Sequence, residues 1–155
     1  MRARRVTTGL TLSALATALA LVAAPAAGAA AGSHLTLGGS VHGSVVVLRA
    51  VCNTHVATAK HKYFFDIGGT VGGQTFLMSG DVAGYTGPHT YHSFSGLVMA
   101  AGRYFTGHGA GAGSVTVLAG GNGGALRLTV KQPAGAGGGT ETVSGTFTCT
   151  AYTTV

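Results

Sequence analysis

From Ala30 onward the chain is built of short β-branched and aromatic runs separated by glycine clusters. No window repeats its apolar positions at helical spacing, whereas several alternate apolar and polar residues one by one. This pattern predicts strands near His34–Gly38, Val41–Val47, Leu48–Thr58, Tyr63–Val71, Gln74–Val82, Tyr91–Met99, Arg103–Phe105, Ser114–Leu118, Ala125–Lys131 and Thr140–Tyr152. Parity assigns the faces. Leu126, Leu128 and Val130 fall on one side of their strand, with Arg127, Thr129 and Lys131 on the other. Val143, Phe147 and Cys149 share a face, and so do Val46, Leu48 and Cys52. One buried and one polar face per strand leads to an all-β domain, an antiparallel β-sandwich or a flattened barrel.

Turn residues punctuate the pattern. Gly72-Gly73 between Val71 and Gln74 supplies a two-residue hairpin turn. Asn122-Gly123, between SVTVLA and ALRLTV, has the residues of a type I′ turn, in which both positions take positive φ. Gly107–Gly113 and Pro133–Gly139 read as loose loops.

The segment before Ala30 belongs to a different kind of sequence. Arg2, Arg4 and Arg5 precede the apolar run GLTLSALATALALVA and the small residues APAAGAAAG, the three-part layout of a secretory signal. The run is shorter than the roughly 20 residues of a membrane-spanning helix, and Pro25 interrupts the small-residue stretch after it. Residues 1–29 are therefore expected to be a cleavable signal, cut before Ala30, and residues 30–155 a single β-rich domain without a membrane span. Val6-Thr7-Thr8 after Arg4-Arg5 lacks the apolar pair of a twin-arginine signal, so general secretion is expected.

Export changes how the two cysteines read. In an oxidising compartment an even cysteine count implies pairing, and Cys52 and Cys149 admit one bridge. It closes a long loop, stabilising the fold by about 4–5 kcal/mol in the chain-entropy model. No C-x-x-C occurs.

Charge narrows the chemistry. Of 155 residues only 8% are charged, and the acids are Asp66, Asp81 and Glu141 alone. Removing the signal lowers the net charge from +6 to about +3, leaving Arg49, Lys60, Lys62, Arg103, Arg127 and Lys131 as the cations. So few carboxylates leave little for paired acid–base catalysis or acidic metal cages. G-x-S-x-G and H-E-x-x-H are both absent, and the glycine runs do not open helices as phosphate cradles do. Lys60–Phe65 (KHKYFF) is the one short basic–aromatic stretch, and it reads as a polar strand edge entering the core rather than a nucleic-acid site. Seven histidines (34, 42, 55, 61, 89, 92 and 108) survive cleavage. The nearest pair, His89 and His92, would lie on opposite faces of an extended strand, so no metal ligand set is assigned.

The most distinctive stretch is Gly84-Tyr85-Thr86-Gly87-Pro88-His89-Thr90-Tyr91, a Gly-Pro turn flanked by two tyrosines placed to clamp it. The run GGTVGGQTFLMSGDVAGYTGPHTY, with SVTVLAGGNGGALRLTV and the terminal VSGTFTC, resembles the mycobacterial lipoprotein-antigen family and related small exported proteins of high-GC Gram-positive bacteria. The resemblance implies a β-rich, envelope-associated, non-enzymatic protein with an early cysteine bridged to one near the C-terminus. This chain departs from the family in carrying Ala, not a lipid-accepting Cys, at the cleavage site. A membrane anchor is therefore not implied.

The functional expectation is a secreted or cell-envelope-associated, non-enzymatic and monomeric binding or surface-antigen-like module, without cofactor. Its partner would be a cell-wall polymer or an extracellular protein, and not nucleic acid. Two alternatives stand beside it: a small-ligand or transition-metal binder using His89, His92 and His108, and a secreted enzyme inhibitor presenting the Tyr85–Tyr91 loop.

Overall fold

The structure, a computed structural model, describes residues 32–55 and 61–154. The expected signal, residues 1–29, lies outside the described residues. Eleven strands run β1 (His34–Gly39), β2 (Gly43–His55), β3 (Lys62–Val71), β4 (Gln74–Ala83), β5 (Thr90–Tyr91), β6 (Phe94–Ala100), β7 (Arg103–Gly109), β8 (Gly113–Val117), β9 (Gly123–Lys131), β10 (Thr140–Thr148) and β11 (Ala151–Thr154) among the described residues. With β5 and β6 taken as one path and β7 and β8 as another, each path of the wall pairs antiparallel with the next along the chain, and β10 returns to β1 from His34↔Thr146 to Gly39↔Glu141. The result is a closed up-and-down barrel of eight strand paths, the second of the two architectures the pattern allowed. Closure pairs both edges that a sandwich would leave open.

Two of the eight paths are interrupted. β5 and β6 together face β7 and β8, with β5 pairing β8 and β6 pairing β7. A single 3-10 turn, Ala110–Ala112, divides β7 from β8, and both halves run against β9. Gly107–Gly113 is thus part of the wall and not a loose loop. Its Ala112 is 3% exposed and plugs the core.

The lumen is filled in layers. Cys52, Phe65, Gly80, Gly96 and Gly107 stand in register across β2, β3, β4, β6 and β7, all facing inward. Ala50, Ile67, Met78, Val98 and Phe105 form the next layer. The volume left by the three glycines of the first layer receives the ring of Phe94, 6.0 Å from Phe65, while Phe147 packs over Gly124, 5.4 Å from Phe65. An eight-stranded barrel encloses about the volume its own side chains can fill, and here they fill it.

β2 corrects one expectation. Val46 and Leu48 are 54% and 40% exposed, while Val45, Val47, Ala50 and Cys52 are buried. Leu48 is an extra residue between the pairs Val47↔Gly69 and Arg49↔Gly68. A bulge of one residue reverses parity, so counting back from Cys52 put Val46 and Leu48 on the wrong face.

The turns divide similarly. Gly72 and Gly73 make the expected two-residue hairpin, with φ of 55° and 75°. Asn122-Gly123 does not form a type I′ turn: Asn122 has φ −88°, and Gly120 and Gly121 take the positive values instead. The connection is longer than two residues, and the Asn122 carbonyl accepts the Cys149 N–H at 2.9 Å. An unexpected hairpin turn is Ala101-Gly102, where Ala101 holds φ 50°. The predicted Thr140–Tyr152 strand splits at Cys149-Thr150, and β11 then runs parallel to the distal half of β2.

Candidate functional site

One end of the barrel collects the chain's aromatic hydroxyls. Tyr63 is the last large inward residue of β3 at this end and is fully buried. Its hydroxyl donates to the Gly121 carbonyl at 3.1 Å and lies 3.9 Å from the Cys149 sulfur. The Tyr85 ring, just beyond β4, sits 5.4 Å from Tyr63 and 5.8 Å from Tyr91. Tyr152 reaches over from β11, its hydroxyl 3.2 Å from Thr54 Oγ1. It also covers Gly121, where a Cβ would lie 2.8 Å from the phenol oxygen and the backbone holds φ 70°, a conformation that favours glycine. Four of the chain's five tyrosines therefore meet at this end.

The disulfide fixes the same place. Cys52 and Cys149 are bonded, with Cα atoms 5.7 Å apart and a sequence separation of 97. Thr150 adds two hydrogen bonds to the Ala50 carbonyl, from its N–H at 2.7 Å and its hydroxyl at 2.8 Å. The bridge ties β2 to the crossing from β10 to β11, and so holds Tyr152 over the barrel mouth. Such a bridge is consistent with an oxidising, extracellular compartment.

The Tyr85–Tyr91 segment is held as its flanking tyrosines suggested. The Tyr91 hydroxyl donates to the Gly87 carbonyl at 2.7 Å and accepts the Thr86 N–H at 2.9 Å. Tyr91 is almost wholly buried, whereas Pro88 and His89 stand out in solvent. His89 packs edge-on against Tyr91, ring centres 5.2 Å apart. The loop is exposed at its tip and pinned at its base.

Electrostatics follow burial. Desolvation, then the neighbouring phenols of Tyr85 and Tyr152, push the Tyr63 phenol far above its ordinary value. Burial and the phenols of Tyr152 and Tyr91 also raise Tyr85. Both hydroxyls are neutral through the physiological range, and act as hydrogen-bond donors and acceptors rather than bases.

The histidines singled out by sequence do not form one group. His89 and His92 flank β5, and His108 Nδ1 bonds Ser95 Oγ at 2.8 Å on the outer wall. Among the described residues no set of three His, Cys, Asp or Glu side chains is placed to hold a metal ion. The three acids are also separated in role. Asp81 pairs with Lys62 at 3.3 Å, Asp66 is exposed on the wall, and Glu141 is buried.

Glu141 is the polar residue that sequence reasoning missed. It faces inward at the barrel end opposite the tyrosines, fully buried, and Oε2 accepts the Val41 N–H at 2.9 Å. Oε1 has no partner among the described residues. Its inward parity with Val143 was the available signal, since Thr140-Glu141-Thr142 otherwise reads as a solvated strand start. Beside it, Ser40, His42, Gln74 and Arg103 rim an open surface cavity of about 400 Å3.

No helix among the described residues is long and apolar enough to cross a membrane. Compared with protein-family models, curated proteins and solved structures, the chain matches none.

Proposed function

We propose that this protein is an exported, non-enzymatic binding module of the cell envelope, and that its tyrosine-rich end recognises a hydroxyl-rich wall polymer. The observation that carries this reading is the pairing of a filled lumen with a rigid aromatic end. Phe65, Phe94, Phe105 and Phe147 occupy the space where barrels of this size otherwise take a small ligand. Recognition is then left to the surface, where the half-buried Tyr85 and the exposed Tyr152 and His89 offer ring faces beside hydroxyl groups. Aromatic rings with a polar tip suit sugars, which present apolar C–H faces rimmed by hydroxyls. The disulfide pre-orders the surface, lowering the entropy lost on binding.

The reading is tested by co-sedimenting the processed protein with purified cell walls, for the wild type, Tyr152→Ala and His89→Ala. Each substitution is expected to weaken retention roughly 10-fold. Retention unchanged in both variants would remove the polymer reading.

The pinned Tyr85–Tyr91 loop favours a second reading, an inhibitor of secreted hydrolases, because inhibition by insertion needs an exposed loop of fixed shape. Assays of extracellular proteases with and without the protein separate the two. Inhibition abolished by Pro88→Ala or His89→Ala would select the inhibitor.

A further inference from the structure

We propose that the outer wall between β9 and β10 holds a phosphate oxyanion, at a site separate from the aromatic rings of the tyrosine end. Strand register sets Arg127 of β9 against Ser144 of β10, and Ala125 against Thr146. All four side chains face outward, since the alternate residues Leu126, Leu128, Val143 and Phe147 fill the core. Adjacent strands lie about 5 Å apart, and alternate residues about 7 Å apart along a strand, so the four frame one anion-sized square. The square spans only two neighbouring strands, and the curvature of the barrel therefore does not spread its donors apart. Ala125 fills its corner with a single methyl group. An open surface cavity of about 450 Å3 lies here, lined also by Ser114 and Thr116 of β8.

Unpartnered donors identify the ligand. Among the described residues, the Arg127 guanidinium and the Ser144 and Thr146 hydroxyls make no ion pair or side-chain hydrogen bond. Thr116, the matching hydroxyl on β8, is already bonded to Thr90 at 2.9 Å, which favours the β10 side of the cavity. No acid opposes the guanidinium on this wall. Asp66 and Asp81 stand on β3 and β4, across the barrel, and Glu141 of β10 is buried in the core. A guanidinium fork engages two phosphate oxygens in parallel bonds and leaves others for the two hydroxyls. A tetrahedral oxyanion thus has acceptors for Arg127, Ser144 and Thr146 together, whereas a carboxylate has two oxygens in one plane, both engaged by the fork. Two sources carry this chemistry: the free phosphate ion, and a phosphate ester of a polyol whose own hydroxyls meet Ser114 and Thr116.

The test is a chemical-shift titration of the processed protein with glycerol phosphate, inorganic phosphate and acetate. It compares the wild type with Arg127→Gln, and with Ser144→Ala and Thr146→Ala combined, which removes both hydroxyls and keeps every charge. The wild type is expected to give saturating shifts at Arg127, Ser144 and Thr146 with both phosphates, and none that saturate with acetate. Each variant is expected to bind phosphate roughly 10-fold more weakly. The substituted side chains lie on the outer face, so both variants should unfold at the wild-type urea midpoint, which shows them folded. Tighter binding of glycerol phosphate assigns the ester and equal binding assigns the free ion; both support the oxyanion site. Acetate binding as tightly as phosphate overturns the proposal. So does the absence of saturation with either phosphate, or a folded variant without the two hydroxyls that binds like the wild type.

Discussion

Phe94 has room in the barrel because its neighbours have no side chains. Gly80 and Gly96 are cross-strand partners, and a Cβ on either would collide with the Phe94 ring. Gly107 continues the same floor, its missing Cβ lying 3.0 Å from Val130 and 3.1 Å from Ala112. Here glycine is a packing residue and not a breaker. Gly80→Ala is therefore expected to destabilise by about 3 kcal/mol, the upper part of the usual range for overpacking, as read from urea midpoints at constant slope. A change below a few tenths would show that the ring has another place to go. Tyr63 sets the response to alkali. Its phenol titrates higher folded than unfolded, so its contribution is complete below the unfolded value of about 10 and is lost as pH rises beyond it. Stability should fall above that point by up to about 1.4 kcal/mol per pH unit. Tyr63→Phe should cost about 1 kcal/mol at neutral pH, through the lost bond to Gly121, and flatten the alkaline fall. Unfolding curves recorded from pH 7 to 11 for both proteins make the comparison.

At the scale of elements, the legible strands were those with uninterrupted alternation. Leu126, Leu128 and Val130 are buried and Arg127, Thr129 and Lys131 exposed, as parity alone required. Gly72-Gly73 was legible too, since two glycines between alternating runs leave few other conformations. What sequence hid were departures from period two. The Leu48 bulge carries no glycine or proline to mark it, and the Ala101 turn uses a residue that rarely takes positive φ. Gly107–Gly113 misled in the other direction, because glycines that seat Phe94 look like glycines that loosen a loop. At the tyrosine end, the clamped Gly-Pro turn and the bridge were readable. The arrival of Tyr152 was not, because it depends on β11 turning back along β2. The disulfide governs that return. Replacing Cys52 and Cys149 together with Ala should lower stability by about 2–5 kcal/mol. It should also raise amide exchange first in β11 and the Leu118–Asn122 connection, where the bridge holds the chain to β2. Uniform loss of protection across the barrel would contradict this local role.

On the scale of the whole molecule, the barrel separates its tasks. The lumen is closed with aromatic and aliphatic side chains and supplies stability. The disulfide end carries the tyrosines. At this end the rings and neutral hydroxyls stand beside one ion pair, Lys62–Asp81. The proposed recognition of a hydroxyl-bearing wall polymer rests on those rings and hydroxyls. The expected secretory signal would deliver the barrel to the compartment where such polymers lie and where Cys52 and Cys149 oxidise. The most direct measurement is a set of amide and aromatic chemical-shift maps of the processed protein, titrated with solubilised wall polymer. Recognition at the tyrosine end predicts shifts confined to Tyr85, His89, Tyr152 and the Leu118–Asn122 connection. Shifts centred on Ser40, His42 and Arg103 at the opposite end, or none at saturating polymer, would contradict it.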